Sequence, residues 1–499
     1  MYENFLINKS IFFRFQTLWL VILFFAIRLL SFFLMGNLLA QGLIAFCLML
    51  LLGVLFFKNQ SWAWCLVLAE IFLGGSGQYF QLLGLSIRTL LVGLFMFLWL
   101  AQLLSEKDLK SKLKIHGRLS YLLIIFFIFL GIAAGLGLYH GHPIHEVMSD
   151  IVPFLFLLLL FPTYHLFSEV KVQEFLVRLL GVFIMGTAIF SLATFIIYSA
   201  HFFEIHQGFY NWYRNFDAGK ITDLGQGFFR IVETTHLLVV PFILLISSLL
   251  VRAEKHHKFW YLLLVLANLI LVLNLSRAYF LALAVGLMIL KFKHSFKQWF
   301  KIVALNLSLI ALIFTSANLL ASQGQTLGWE LFGVRIQSLA NPQIEISTNT
   351  RMMVLRPILD LIHGSPLLGV GLGATVTFLN TYTYQYITTG QFDWGYLEMW
   401  AELGVGGALF LLLLYLFGTY QLIKKIRHLP DWPDFDVGLL AGLIALLVMN
   451  VAMPALFHIF GILFLTFTLA VGLKQTTIFD RTTKVLYQIF NHLPATKEN

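Results

Sequence analysis

The sequence predicts an all-α polytopic membrane protein with about 12–14 transmembrane helices and one large, outward-facing, partly helical loop. Three observations lead there. Of the 499 residues, 59% are hydrophobic and only 11% charged, with 51 Phe. A soluble domain carries roughly 25% charged residues, so a soluble α/β enzyme is excluded. The apolar residues gather into runs near the ~20 residues that a spanning helix requires. The basic residues gather in the loops on one side of those runs.

In chain order the apolar runs lie at about 17–35, 38–57, 61–74, 85–104, 119–138, 147–167, 175–200, 231–251, 259–275, 278–292, 302–321, 399–423, 437–453 and 455–473. The third and tenth are short, and the breaks at 36–37 and 276–277 are tight. The chain thus divides into spans 1–11 over 1–321, the loop at 322–398, and three last spans with a tail over 399–499. No small-residue cleavage site follows the first run, which reads as a retained span. Cys47 and Cys65 both fall in apolar runs, which suits neither a disulfide framework nor a zinc site.

Lys107, Lys110, Lys112, Lys114 and Arg118 share one loop, Arg252, Lys255 and Lys258 another, Lys291, Lys293, Lys297 and Lys301 a third, and Lys424, Lys425 and Arg427 a fourth. Fourteen spans put all of these on one side, with Lys9, Arg14, Lys58, Lys171 and the tail. By the positive-inside bias that side is the cytoplasm. The net charge of +9 is therefore topology rather than a nucleic-acid footprint. Both termini are expected inside, and the 201–230 and 322–398 loops outside.

The 322–398 loop is long for a connection, which marks it as functional or disordered. Trp329, Trp394, Trp400 and neighbouring apolar residues favour order. Few positive charges remain outside: Arg214, Lys220, Arg230, Arg277, Arg335, Arg351 and Arg356. Glu70, Arg88, Asp150 and His458 sit inside apolar runs near the same face. Burying an ionisable group at mid-bilayer costs roughly 2.5–3.5 kcal/mol, so such groups pair or line polar cavities. With His236 and Glu402 they are expected to line one outward-opening cavity; snorkelling at helix ends is the alternative. Arg28, deeper in the first run, fits neither reading.

Three stretches carry more: GQGFFRIVETTHLLVVPF with Arg230, Glu233 and His236; LNLSRAYFLALAVG with Ser276 and Arg277; and Arg351 ahead of GSPLLGVGLG. An Arg fork matches phosphate oxygens and keeps its charge. Several on one membrane face suit a lipid diphosphate. The Gly369, Gly371, Gly373 run lacks the GxGxxG spacing of a phosphate loop and reads as a turn.

Ser276-Arg277-Ala278 between two spans, Arg351 followed by Pro366-Leu367, Gly369-Val370-Gly371 and Gly373, and Tyr396-Leu397 followed by Ala401-Glu402-Leu403-Gly404 resemble the bacterial O-antigen ligase and O-antigen polymerase superfamily. Arg230 resembles a further family arginine. The motifs cover roughly 225–415. The resemblance implies a GT-C-like glycosyltransferase in the bacterial cytoplasmic membrane, active at its outer face. Its donor would be an undecaprenyl-diphosphate-linked glycan. Its acceptor would be another lipid-linked glycan, lipid A-core or protein, with a chain-length regulator as accessory partner of a polymerase. It implies no cofactor and no metal. The sequence agrees in having no DxD-like pair outside, and Arg230, Arg277, Arg351 and Arg356 would stabilise the diphosphate.

One position departs. Ligases of the family carry His-Asn before the Tyr-Leu; here stand Asp393 and Trp394. An acidic residue is commoner among polymerases, which makes polymerisation of surface polysaccharide the first expectation and ligation the alternative. Asp393 would be the general base, with Arg277 and Arg351 also catalytic; otherwise Asp393 caps the following helix. A secondary transporter is the reading of another class. It would favour internal repeats and midplane sites, which the sequence lacks.

Overall fold

The computed structural model describes residues 2–106, 116–167, 169–199, 207–252, 258–292, 294–341, 345–428 and 434–474. Lys107, Lys110, Lys112, Lys114, Lys255, Lys293 and the tail from 475 lie outside them.

Helix occupies every one of the expected apolar runs, but not at the expected length. Among the described residues, nine helices are long and apolar enough to cross a membrane. Three more, Gln60–Leu73, Phe259–Asn274 and Ile459–Leu473, are apolar but shorter. Against the expected 12–14 spans, the described residues hold nine helices of spanning length. The cause lies at the breaks: Leu275, at φ +44°, ends one helix, and Arg277–Lys291 begins two residues later with only 15 residues. The Ile144–Leu166 stretch is also interrupted, by a 3-10 turn at Phe156–Leu159 just after Pro153. Proline removes a backbone donor and forces the helix to adjust.

The exterior confirms a multi-pass membrane protein. On Leu38–Lys58, Leu39, Leu43, Phe46, Leu50 and Phe57 are exposed, whereas Gln41 is fully buried. Gln41 Nε2 donates inward to the Leu34 carbonyl at 2.8 Å. Apolar outside and polar inside is the arrangement that lipid favours, because hydrocarbon cannot satisfy the amide.

Among the described residues, three short antiparallel hairpins punctuate the helices. Two position the site. Lys220–Asp223 pairs with Phe229–Val232, setting Thr222 opposite Arg230. Val376–Asn380 pairs with Gln385–Thr389. Val376 and Phe378 of this second hairpin turn inward onto Val354, Ile358 and Ile362 of the Ile346–Gly364 helix, with Ala374, Phe392 and Ala401. This small core, separate from the main one, is why the 345–394 segment is ordered without spanning the bundle.

Candidate functional site

The arginines converge where Leu275 reverses the chain. Arg277 is the first residue of its helix, and a helix N-terminus adds unpaired N–H groups and positive potential. Arg335 projects from the Trp329–Ala340 helix. Both grip one carboxylate: Arg277 Nη1 lies 2.9 Å from Glu345 Oε2, and Arg335 Nη1 lies 2.8 Å from Glu345 Oε1. Arg277 Nη2 also donates to Thr348 Oγ1 at 2.6 Å. Arg230 is anchored from the neighbouring hairpin, Nε donating to the Asn274 carbonyl at 2.5 Å. Burial, with Arg335 and Arg351 nearby, brings Arg230 down to about 10, still charged at neutral pH. Burial likewise lowers Arg335, against the opposing pull of Glu345.

Arg351 lies on the Ile346–Gly364 helix, and its Nε faces Asp393 Oδ2 at 3.7 Å. Trp394 Nε1 donates to the Arg351 carbonyl at 3.1 Å, tying the two segments together. Asp393 takes φ +58° and its side chain is 53% exposed. It does not cap the next helix by position: Glu398 N bonds the Trp394 carbonyl, which makes Trp394 the cap residue. Arg230, Arg277 and Arg351 are therefore brought together, with Asp393 at the rim. Arg356, five residues further along the helix, is exposed and takes no part in these contacts.

Among the described residues, the other ionisable residues stand in three local groups. Arg88 Nε pairs with Glu70 Oε2 at 3.0 Å and Arg88 Nη2 donates to the Gly75 carbonyl at 2.8 Å. His458 caps the Ile459–Leu473 helix, accepting from Phe460 N. Asp150 accepts from Gly373 N at 2.7 Å and hydrogen-bonds Glu402. His236 meets Ser191 Oγ at 3.2 Å and Asn274 Nδ2 at 3.0 Å. Arg28 belongs to this third group: it lies 3.6 Å from Glu233 Oε2 and 3.7 Å over the Phe24 ring.

The glycine run and the following helix form one joint. Gly369, Gly371 and Gly373 all have positive φ. A Cβ at Gly369 would meet the Glu402 carbonyl at 2.6 Å, and one at Gly371 would strike the Gly137 backbone. Val370 N donates to the Ala401 carbonyl at 2.8 Å, and Leu372 N to the Ala133 carbonyl at 3.0 Å. Gly404, at φ +66°, kinks the helix to admit the turn. The glycines permit close backbone packing and make no phosphate loop.

Sequence reasoning passed over Glu345. One signal was present: it is the single acid between Glu330 and Asp360, flanked by Arg335 and Arg351.

Residues 261–412 match the O-antigen ligase family model. The match supports membership of the O-antigen ligase and polymerase superfamily. It spans Arg277, Arg335, Glu345, Arg351 and Asp393, but not Arg230. No curated protein matches the chain.

Proposed function

We propose that this membrane protein transfers a glycan from a polyprenyl-diphosphate carrier to a hydroxyl acceptor, in the manner of an O-antigen ligase. The carrying observation is the convergence of Arg277 and Arg335 on one carboxylate, with Arg230 and Arg351 beside it, inside the matched region or at its edge. Charge-assisted arginine forks suit a diphosphate. In the step, the acceptor oxygen attacks the anomeric carbon and the bond from that carbon to the diphosphate oxygen breaks. The electron pair leaves on the diphosphate, which the arginines stabilise. The acceptor proton passes to a base, for which Asp393 is placed at the rim. The Lys-rich loops would be cytoplasmic, both termini with them, and the arginines would face the exterior of a bacterial cytoplasmic membrane.

Polymerisation of repeat units, the first expectation from Asp393, becomes the second reading. The family match favours ligation, while the carboxylate beside Arg351 keeps polymerisation in view. Deleting the gene separates them. Under ligation, long chains remain on the lipid carrier. Single repeat units on the final acceptor would instead establish polymerisation, and unchanged glycans would overturn both.

A further inference from the structure

Asn274 stands at the seam between the sealed Arg28 group and the arginine cluster. It is the last residue of the Lys258–Asn274 helix and is buried; Leu275 follows it in left-handed backbone at φ +44°. A helix end leaves its last carbonyls without intrahelical donors. The Asn274 carbonyl takes its donor from Arg230 Nε at 2.5 Å. The Asn274 side chain reaches the other way, with Nδ2 3.0 Å from His236 Nδ1. A second contact fixes the direction of that bond. Glu233 N, which can only donate, also points at His236 Nδ1, at 3.4 Å. Nδ1 is thus the acceptor, and Asn274 presents its amide nitrogen to it. The other ring nitrogen, Nε2, meets Ser191 Oγ, which donates to Glu233 Oε1 at 3.2 Å. His236 is fully buried. Two hydrogen bonds therefore clasp the short segment carrying Arg230 and His236 to the helix end that precedes Arg277.

We propose that Asn274 and His236 are positioning residues for Arg230. His236 holds the Asn274 side chain, and the Asn274 carbonyl in turn holds the Arg230 guanidinium. This rests on the diphosphate reading above. A guanidinium held through Nε keeps its two Nη groups as the fork offered to an anion. A residue other than glycine persists in left-handed backbone only where its surroundings hold it. The clasp supplies that hold at Leu275 and keeps the Asn274 carbonyl turned to Arg230.

The test uses the full chain in nanodiscs, titrated with undecaprenyl diphosphate. Arg230→Ala should bind about tenfold more weakly than wild type, the scale of losing one hydrogen-bonded charge. Asn274→Ala should bind about fivefold more weakly. Residues that act through one another are not additive, so the double variant should bind no more weakly than Arg230→Ala alone. A double variant weakened by the product of the two effects would show that Asn274 acts apart from Arg230. Unchanged binding by Asn274→Ala would equally overturn the clasp. Should Asn274→Ala not accumulate, His236 decides. His236→Asn keeps an acceptor in the place of Nδ1 and should bind nearly as wild type, whereas His236→Ala should match the Asn274 loss. Equal binding by the two His236 variants overturns the proposal. Absence of binding by wild type would instead refute the diphosphate reading, and the positioning role with it.

Discussion

Arg28 and Arg277 each pair with a glutamate, and the surroundings of the two pairs differ throughout. Arg28 and Glu233 are 2% and 0% exposed. Aromatic faces of Phe24 and Phe190 cover the guanidinium, and Ser191 and His236 hold the carboxylate. Arg277 and Glu345 are partly exposed; Arg335 shares Glu345, Arg351 faces Asp393, and Arg230 lies in the same electrostatic neighbourhood. The first arrangement is sealed from solvent; the second is partly open to it. A buried pair costs desolvation, and losing one partner strands the other. An open cluster of like charges is electrostatically unfavourable until an anion arrives. The expectation is that the sealed network serves folding and the partly exposed one binding.

Mutation should separate the two most sharply. Arg277→Ala and Arg351→Ala are expected to lower transfer by about 10³-fold, the scale of losing a charge-stabilising arginine. Membrane accumulation should persist, because a partly exposed pair contributes only about 1 kcal/mol. Arg28→Ala and Glu233→Ala should do the reverse. They should lose roughly 3–5 kcal/mol of stability, read as failure to accumulate. If the Arg277 variant vanished from the membrane while the Arg28 variant accumulated normally, the division would collapse.

Asp393 sharpens the open side. Asn tolerates left-handed backbone about as well as Asp, so Asp393→Asn preserves the turn at φ +58° and removes only basicity. Transfer should fall at least ~10²-fold if Asp393 accepts the proton, with thermal stability unchanged. Normal turnover by purified Asp393→Asn would remove it from the chemistry. Asp393→Ala adds a backbone cost of about 1 kcal/mol, visible as a lower Tm.

The smallest effect lies at the edge of the closed network. Asp217 accepts a hydrogen bond from the Tyr79 hydroxyl. Burial, and then the nearby Glu233, raise it to about 7, against about 3.9 in an unfolded chain. The folded state thus holds the proton more tightly. That contribution is whole below about pH 4 and is lost as pH rises through about 7. Tm should decline over this interval, and Asp217→Asn should flatten the decline. A Tm that rises with pH in the wild type would contradict the placement.

The glycine joint shows where sequence reading stops. A turn at Gly369–Gly373 was legible because glycine spacing without a phosphate-loop pattern leaves little else. Its contacts were not: Gly137 stands more than two hundred positions earlier in the chain, and Ala401 and Gly404 lie in the helix that follows, so only the fold brings them to the turn. Arg356 illustrates the opposite error. It shares a helix and a residue type with Arg351, but the helical turn carries it away from the cluster.

By itself the sequence determined the membrane class, the order of the apolar helices and the three arginine stretches. Hydropathy and arginine chemistry are local properties, readable one segment at a time. Only the tertiary structure decided which charges meet. Glu70 with Arg88, Asp150 with Gly373, Arg28 with Glu233, and Glu345 between Arg277 and Arg335 are pairings across elements. Which of them are closed and which left open depends on packing around each pair. A buried charge is tolerated only with partners in place, and those partners come from wherever the fold brings the chain back.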